Sequence, residues 1–135
     1  MLEEILRQLF IDAFTKLYGQ EPPVSQVNFQ KTRPEFEGDV TIVVFPFVRL
    51  SKKSPEIMAD ELGREIVANS EIISKYNVVK GFLNLLVSDS YWLTFFAENH
   101  ENEYLGRKQV TGQPIVVEYS SPNTNKPLHL GHIRN

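Results

Sequence analysis

The chain has 135 residues, a length suited to one domain with a core large enough to fold without covalent staples. Its 41% hydrophobic and 23% charged content exclude global disorder, and the lack of cysteine excludes a disulfide scaffold or a thiolate metal site and suits a reducing cytoplasm. The net charge of −3 argues against a nucleic-acid partner until its distribution is read: Arg49, Lys52 and Lys53 fall in a window from Val40 to Ser54 with no acid, and Lys31 and Arg33 stand just before it.

The opening MLEEILRQLF is acidic and amphipathic, without the basic start and apolar centre of a signal peptide, and no stretch approaches the ~20 apolar residues that span a bilayer. Leu2, Ile5, Leu6, Leu9, Ala13, Phe14 and Leu17 recur at helical spacing, so a helix is predicted over about 2–18, stopped by Gly19 and Pro22-Pro23. Residues 27–31 alternate weakly, and a turn at Gly38-Asp39 leads into the β-branched run Val40 to Phe45; both read as strands. Ser54-Pro55-Glu56 begins a second helix with a capping hydroxyl, a first-turn proline and an acid at the positive end, running to about Asn69. Val78 to Lys80 and Phe82 to Val87 read as two strands hinged near Gly81, and Ser88 or Asp89 caps a third helix that ends near His100. This order predicts an α+β fold, with helices packed on one face of a small antiparallel sheet.

The polar stretch Glu98 to Gly112 reads as a linker, placing domains at 1–112 and 113–135. Beyond it, Pro114 to Tyr119 looks like the opening strand of a second domain, and His129 onward like a turn entering a helix. In that segment His129, Gly131 and His132 sit at the mouth of the expected helix, with Lys126 just upstream. Such a pattern suits a nucleoside triphosphate: a helix N-terminus offers free N–H groups to phosphate, glycine permits close approach, and imidazoles donate to oxygens where charge builds. Half of a metal site and two plain surface histidines are the competing readings of this short pattern. Against the metal stand the missing cysteines and the placement of His100 in a different segment.

The longer string Val117 to Asn135, VEYSSPNTNKPLHLGHIRN, resembles the HIGH signature of class I aminoacyl-tRNA synthetases in its arginyl-tRNA synthetase form, here written HLGH. The stretches FEGDV (Phe36 to Val40), SKKSPEIMADEL (Ser51 to Leu62) and GFLNLLV (Gly81 to Val87) resemble that family's N-terminal additional domain. The resemblance covers nearly the whole chain, weakly before Lys31 and strongly after Gln113. It implies that residues 113–135 are the first strand and signature loop of a truncated class I nucleotide-binding domain.

The family's site roles then transfer by position. His129 and His132 match the histidines that hold ATP and stabilise adenylate formation, Gly131 the glycine against which adenosine packs, and Lys126 a lysine at the phosphates. Asn123 matches the asparagine that holds the arginine backbone groups and Glu118 an acid that pairs with the guanidinium, with Ser120 and Ser121 on the same loop. For the N-terminal domain the resemblance implies contact with the tRNA D-loop. Phe82 and Asn84 project from one strand face and are the expected contacts, although Phe82 could instead pack into the core opposite Leu86. Arg49, Lys52 and Lys53, joined by Lys80, are expected at phosphates. The chain departs from the family pattern at Val40, Thr41 and Val44, where an aromatic, a glutamine and an asparagine are usual, so the turn there is assigned no tRNA contact.

The function implied is arginine–tRNA ligase: ATP-dependent activation of arginine and transfer to its tRNA. ATP and arginine are substrates, magnesium accompanies the ATP, and no prosthetic group or protein metal site is implied. The full-length chain is expected to be cytoplasmic and monomeric, with no membrane association, while the 135 residues alone are expected to be inactive and poorly ordered from about Ser120 onward. The alternative function is a stand-alone tRNA-binding module without catalysis.

Overall fold

A computed structural model of the chain describes residues 2–107 together with 112, 114, 116, 117, 125, 127, 129 and 130. The apolar stripe of the opening residues forms helix α1 (Leu2–Tyr18), which buries Leu6, Phe10, Ala13 and Phe14 along one face. Strands β1 (Phe29–Lys31) and β2 (Val40–Val43) follow, then a 3₁₀ turn at Phe45–Phe47 and a single-turn helix α2 (Val48–Ser51). The run Val40 to Phe45 therefore leaves strand geometry two residues earlier than its composition predicts. Val44 is already in the αR region, at φ −89° and ψ −11°, and Pro46 has no N–H to give a ladder.

Helix α3 (Pro55–Ala68) starts as predicted, with the Ser54 hydroxyl accepting from the Ile57 N–H and Pro55 at the first helical position. It buries Met58, Ala59, Leu62, Gly63 and Ile66. Strand β3 (Ile73–Val79) is longer than expected, and β4 (Phe82–Val87) pairs beside it. Helix α4 (Asp89–Asn99) is capped by Ser88, whose hydroxyl accepts from the Tyr91 N–H at 3.4 Å.

The four strands form one antiparallel sheet in the order β1-β2-β4-β3. Alternation along each strand sorts its side chains between two faces. Ile42, Leu83, Leu85 and Val87 lie on the face covered by α1 and α3, where all are essentially buried. Phe10, Phe14 and Phe47 meet there with ring centroids 5.1–6.0 Å apart, so the 3₁₀ turn is anchored in the α1 face of the core. Thr41, Val43, Phe82, Asn84, Leu86, Asn77 and Val79 fall on the opposite face, away from α1 and α3.

The chain divides into two compact units, one through Asn102 and one from Glu103, and the division falls inside the polar stretch read as a linker. In the second unit the Arg107 guanidinium lies 4.7 Å from the Tyr104 ring centre. Of the strand expected over 114–119, Pro114, Val116 and Val117 are exposed and outside regular structure, and the remaining positions lie outside the described residues.

Candidate nucleic-acid interface

The sheet face away from α1 and α3 is not bare. The loop from Thr32 to Asp39, which joins β1 to β2, arches over β4 and reaches β3. Asp39 N–H donates to the Leu85 carbonyl at 2.8 Å, the Asp39 carboxylate accepts from the Val87 N–H at 2.9 Å, and the Asn77 amide on β3 donates to the Glu37 carbonyl. Between this loop and the β3–β4 turn lies a cavity of about 300 Å³, lined by Lys31, Arg33, Phe36, Lys80, Phe82 and Asn84 among others.

Each wall has a local cause. Phe82 is half-buried beside Asn84 on the open face, not in the core opposite Leu86, because the register that buries Leu83 and Leu85 turns positions 82 and 84 outward. Its ring meets Phe45 edge-on, with centroids 5.3 Å apart. Lys80 and Gly81 both have positive φ, 50° and 77°, which is the backbone of a two-residue type I′ hairpin turn. The turn is crowded as well as twisted, since a Cβ on Gly81 would meet Pro55 Cβ at 2.7 Å and Phe45 Cζ at 3.1 Å.

Asn84 is only 1% exposed, and its amide is held at both ends. Its Oδ1 accepts from the Thr41 hydroxyl at 2.6 Å and its Nδ2 donates to Asn77 Oδ1 at 2.8 Å, while Thr32 and Thr41 hydroxyls lie 3.0 Å apart. Two cations, Arg33 and Lys80, rim the cavity, and Arg33 approaches Glu35 at 3.9 Å, while Lys31, paired with Val40, alternates toward the α1 side. An aromatic floor, an amide at the back and cations at the mouth suit an unpaired base with its phosphate: the base stacks, the amide meets its edge, and the cations take the backbone.

The other basic residues lie elsewhere. Arg49 and Lys52 are exposed beside Tyr18, Gly19 and Gln20 in a shallow depression at the end of α1. Lys53 is already partnered: its ammonium is 2.5 Å from Glu61 Oε1 and 5.7 Å from the Tyr18 ring centre, and the Tyr18 hydroxyl donates to Glu61 Oε2 at 2.9 Å. The hydrogen bond from Lys53, helped by that from Tyr18, holds the Glu61 carboxyl below its ordinary range. Burial, reinforced by the adjacent carboxylate, pushes the Tyr18 hydroxyl well above its usual range. The structure thus brings Phe82, Asn84 and Lys80 into one cavity and places Arg49, Lys52 and Lys53 outside it.

The cavity also has walls that sequence reasoning does not find. Phe36 comes from the arching loop, and only the fold sets it beside Phe82, whereas Val79 faces Phe82 across the β3–β4 hairpin. Alternation in β2 offers a partial signal, since Thr41 and Val43 share one face. Of the C-terminal candidates, His129 is exposed, while Glu118, Ser120, Ser121, Asn123, Lys126, Gly131 and His132 lie outside the described residues, as does most of the segment from Ser120 onward. Among the described residues no cluster of three or more potential metal ligands occurs, and no helix is long and apolar enough to cross a membrane.

Comparison with known proteins bears on both parts. Residues 4–87 match the family model of the arginyl tRNA synthetase N terminal domain, and residues 97–135 match that of the class I tRNA synthetase (R) catalytic domain. The chain is 48% identical over 134 residues to an arginine–tRNA ligase of Amoebophilus asiaticus, and 47% identical over 137 residues to one of Parabacteroides distasonis. These alignments cover 99% and 100% of the chain but only 22% and 23% of the relatives, so the chain spans less than a quarter of their length. A solved structure titled Thermus thermophilus arginyl-tRNA synthetase matches with a TM-score of 0.58 at 23% identity, over 100% of this chain and 21% of that one, a likeness of fold. With residues 4–87 on that model and the α+β fold shared, the chain belongs to the arginyl-tRNA synthetase N-terminal domain family.

Proposed function

We propose that the whole protein is an arginine–tRNA ligase and that the unit through Asn102 grips the corner of the tRNA where the D-loop lies. In this reading the enzyme joins arginine to ATP as arginyl-adenylate, releases pyrophosphate and passes the arginine to the 3′ end of its tRNA. The family match and the names of the relatives support the activity. The observation that carries the tRNA role is the cavity on the open sheet face, where Phe82, Asn84 and the cations Arg33 and Lys80 converge.

The residues divide the work by chemistry. Phe82 stacks an unpaired base, Asn84 meets its edge, and Lys80 takes the adjoining phosphate. Arg49 and Lys52 position the tRNA through its backbone without reading sequence. Lys53 contributes by tying the α2–α3 connection to α3 through Glu61, and its charge reaches a phosphate only in competition with that carboxylate. In the catalytic part, which we assign to residues 113 onward, His129, Gly131, His132 and Lys126 serve ATP, and Glu118 and Asn123 serve arginine. Magnesium enters with the ATP. The enzyme acts as a cytoplasmic monomer.

The test is pyrophosphate exchange by the full-length gene product with each amino acid in turn, with and without arginine tRNA. Exchange confined to arginine supports the ligase. Exchange that also requires tRNA ties the N-terminal grip to catalysis. Binding of arginine tRNA without any exchange would replace this reading with a stand-alone tRNA-binding module.

A further inference from the structure

The loop over the open face is joined to Asn84 by hydrogen bonds whose direction is forced. The Glu37 carbonyl can only accept, so the Asn77 group facing it is the Nδ2 amine. Asn77 Oδ1 is thereby turned to Asn84 and can only accept there, so Asn84 presents its own Nδ2, at 2.8 Å. That leaves Asn84 Oδ1 toward Thr41, whose single hydroxyl proton is committed to it at 2.6 Å. Thr32, 3.0 Å from Thr41, must then be the donor of that pair. One relay of fixed polarity runs Thr32→Thr41→Asn84→Asn77→Glu37 C=O, anchored at its acceptor end by loop backbone.

The loop's height above Asn84 is equally constrained. Gly38 sits at φ 140°, and a Cβ there would meet Asn84 Cβ at 3.2 Å, the Leu85 carbonyl at 3.2 Å and Thr32 Oγ1 at 3.3 Å. Asn84 spends one N–H and one lone pair of Oδ1 in the relay and keeps one of each. Asn84 lines the cavity, so those remaining groups are the ones it has left to offer a base bound there. An unanchored amide presents donor and acceptor in either order, so it matches opposite hydrogen-bond patterns equally well.

We propose that Asn77, which does not line the cavity, is a specificity-determining positioning residue: it fixes which of the Asn84 amide groups is offered as donor and which as acceptor to a nucleic-acid base. The inference rests on the reading of the cavity as a tRNA site. It requires at position 77 a group that can only accept toward Asn84, and asparagine meets the requirement because its own donor is occupied by the loop carbonyl.

The experiment uses the full-length protein and arginine tRNA transcripts in which each unpaired D-loop base is replaced in turn. Dissociation constants are measured at fixed salt for the parent and for Asn77→Ala, Asn77→Asp and Phe82→Ala. In the parent, base replacement at the contacted position is expected to weaken binding by about tenfold or more. Asn77→Ala is expected to reduce that spread to about twofold, because the amide of Asn84 can then turn over. Asn77→Asp keeps an acceptor toward Asn84 and loses the donor to Glu37, so it is expected to bind more weakly overall while retaining the spread. Should Asn77→Ala fail to fold, Asn77→Asp with a collapsed spread would still overturn the proposal, as would equal spreads in the parent and Asn77→Ala. Phe82→Ala without effect on any transcript would instead overturn the tRNA reading on which the proposal stands.

Discussion

Lys80, which we propose takes a phosphate, is held against local backbone preference. An L-residue other than glycine at φ 50° costs of order 1 kcal/mol, and Lys80 occupies it as the first residue of the type I′ turn while its side chain borders the cavity. Lys80→Gly is therefore expected to stabilise the fold by roughly 0.5–1 kcal/mol in denaturant titration. The same substitution should weaken tRNA binding and lower the salt dependence of log Kd by about one phosphate contact. Opposite signs in the two measurements separate the role of the side chain from that of the backbone. Glu61 gives a second residue-scale test, in pH. Its pKa is lowered in the folded chain by Lys53 and Tyr18, so the stabilisation it brings is complete above the ordinary glutamate value of 4.5 and is lost as pH falls through the lower, folded value. Glu61→Gln should flatten that acid limb of the stability profile, and it should free Lys53 for other partners.

At the scale of elements, the sequence was most legible where one device governed a whole segment. Helical periodicity and capping place α1 and α3 almost to the residue, because their apolar stripes face a single core. The start of β3 was hidden by a β-bulge. The register slips between Ile73 and Lys75, so Ile73 and the partly buried Tyr76 both pack on the core although they are three residues apart, which breaks the period of two. The 3₁₀ turn at Phe45–Phe47 was hidden inside an apolar run that reads as strand until tertiary packing inserts Phe47 between Phe10 and Phe14. That insertion makes the turn an anchor: Phe47→Ala is expected to cost about 3–5 kcal/mol, measured as a shift in denaturant midpoint at unchanged slope. The site was legible in proportion. Alternation along β4 puts Phe82 and Asn84 on one face, but no local rule says that a loop from the other end of the sheet will roof them.

The whole N-terminal unit is organised by one topological fact, the order β1-β2-β4-β3. The strand at the centre of the open face, β4, follows its neighbour β3 by a tight turn, yet pairs on its other side with β2 from before α2 and α3, with Thr41 opposite Asn84. Bringing those strands together closes a long loop before any reward from pairing is collected, and contacts of that span are slow to form. The floor of the cavity, its amide and its arching roof are consequently assembled in the step that completes the sheet. During refolding from denaturant, tRNA-binding competence should therefore appear with the slowest phase seen by near-ultraviolet circular dichroism, with no earlier burst. In the proposed reading, a grip on tRNA thus becomes a late signal that the sheet of this unit is complete.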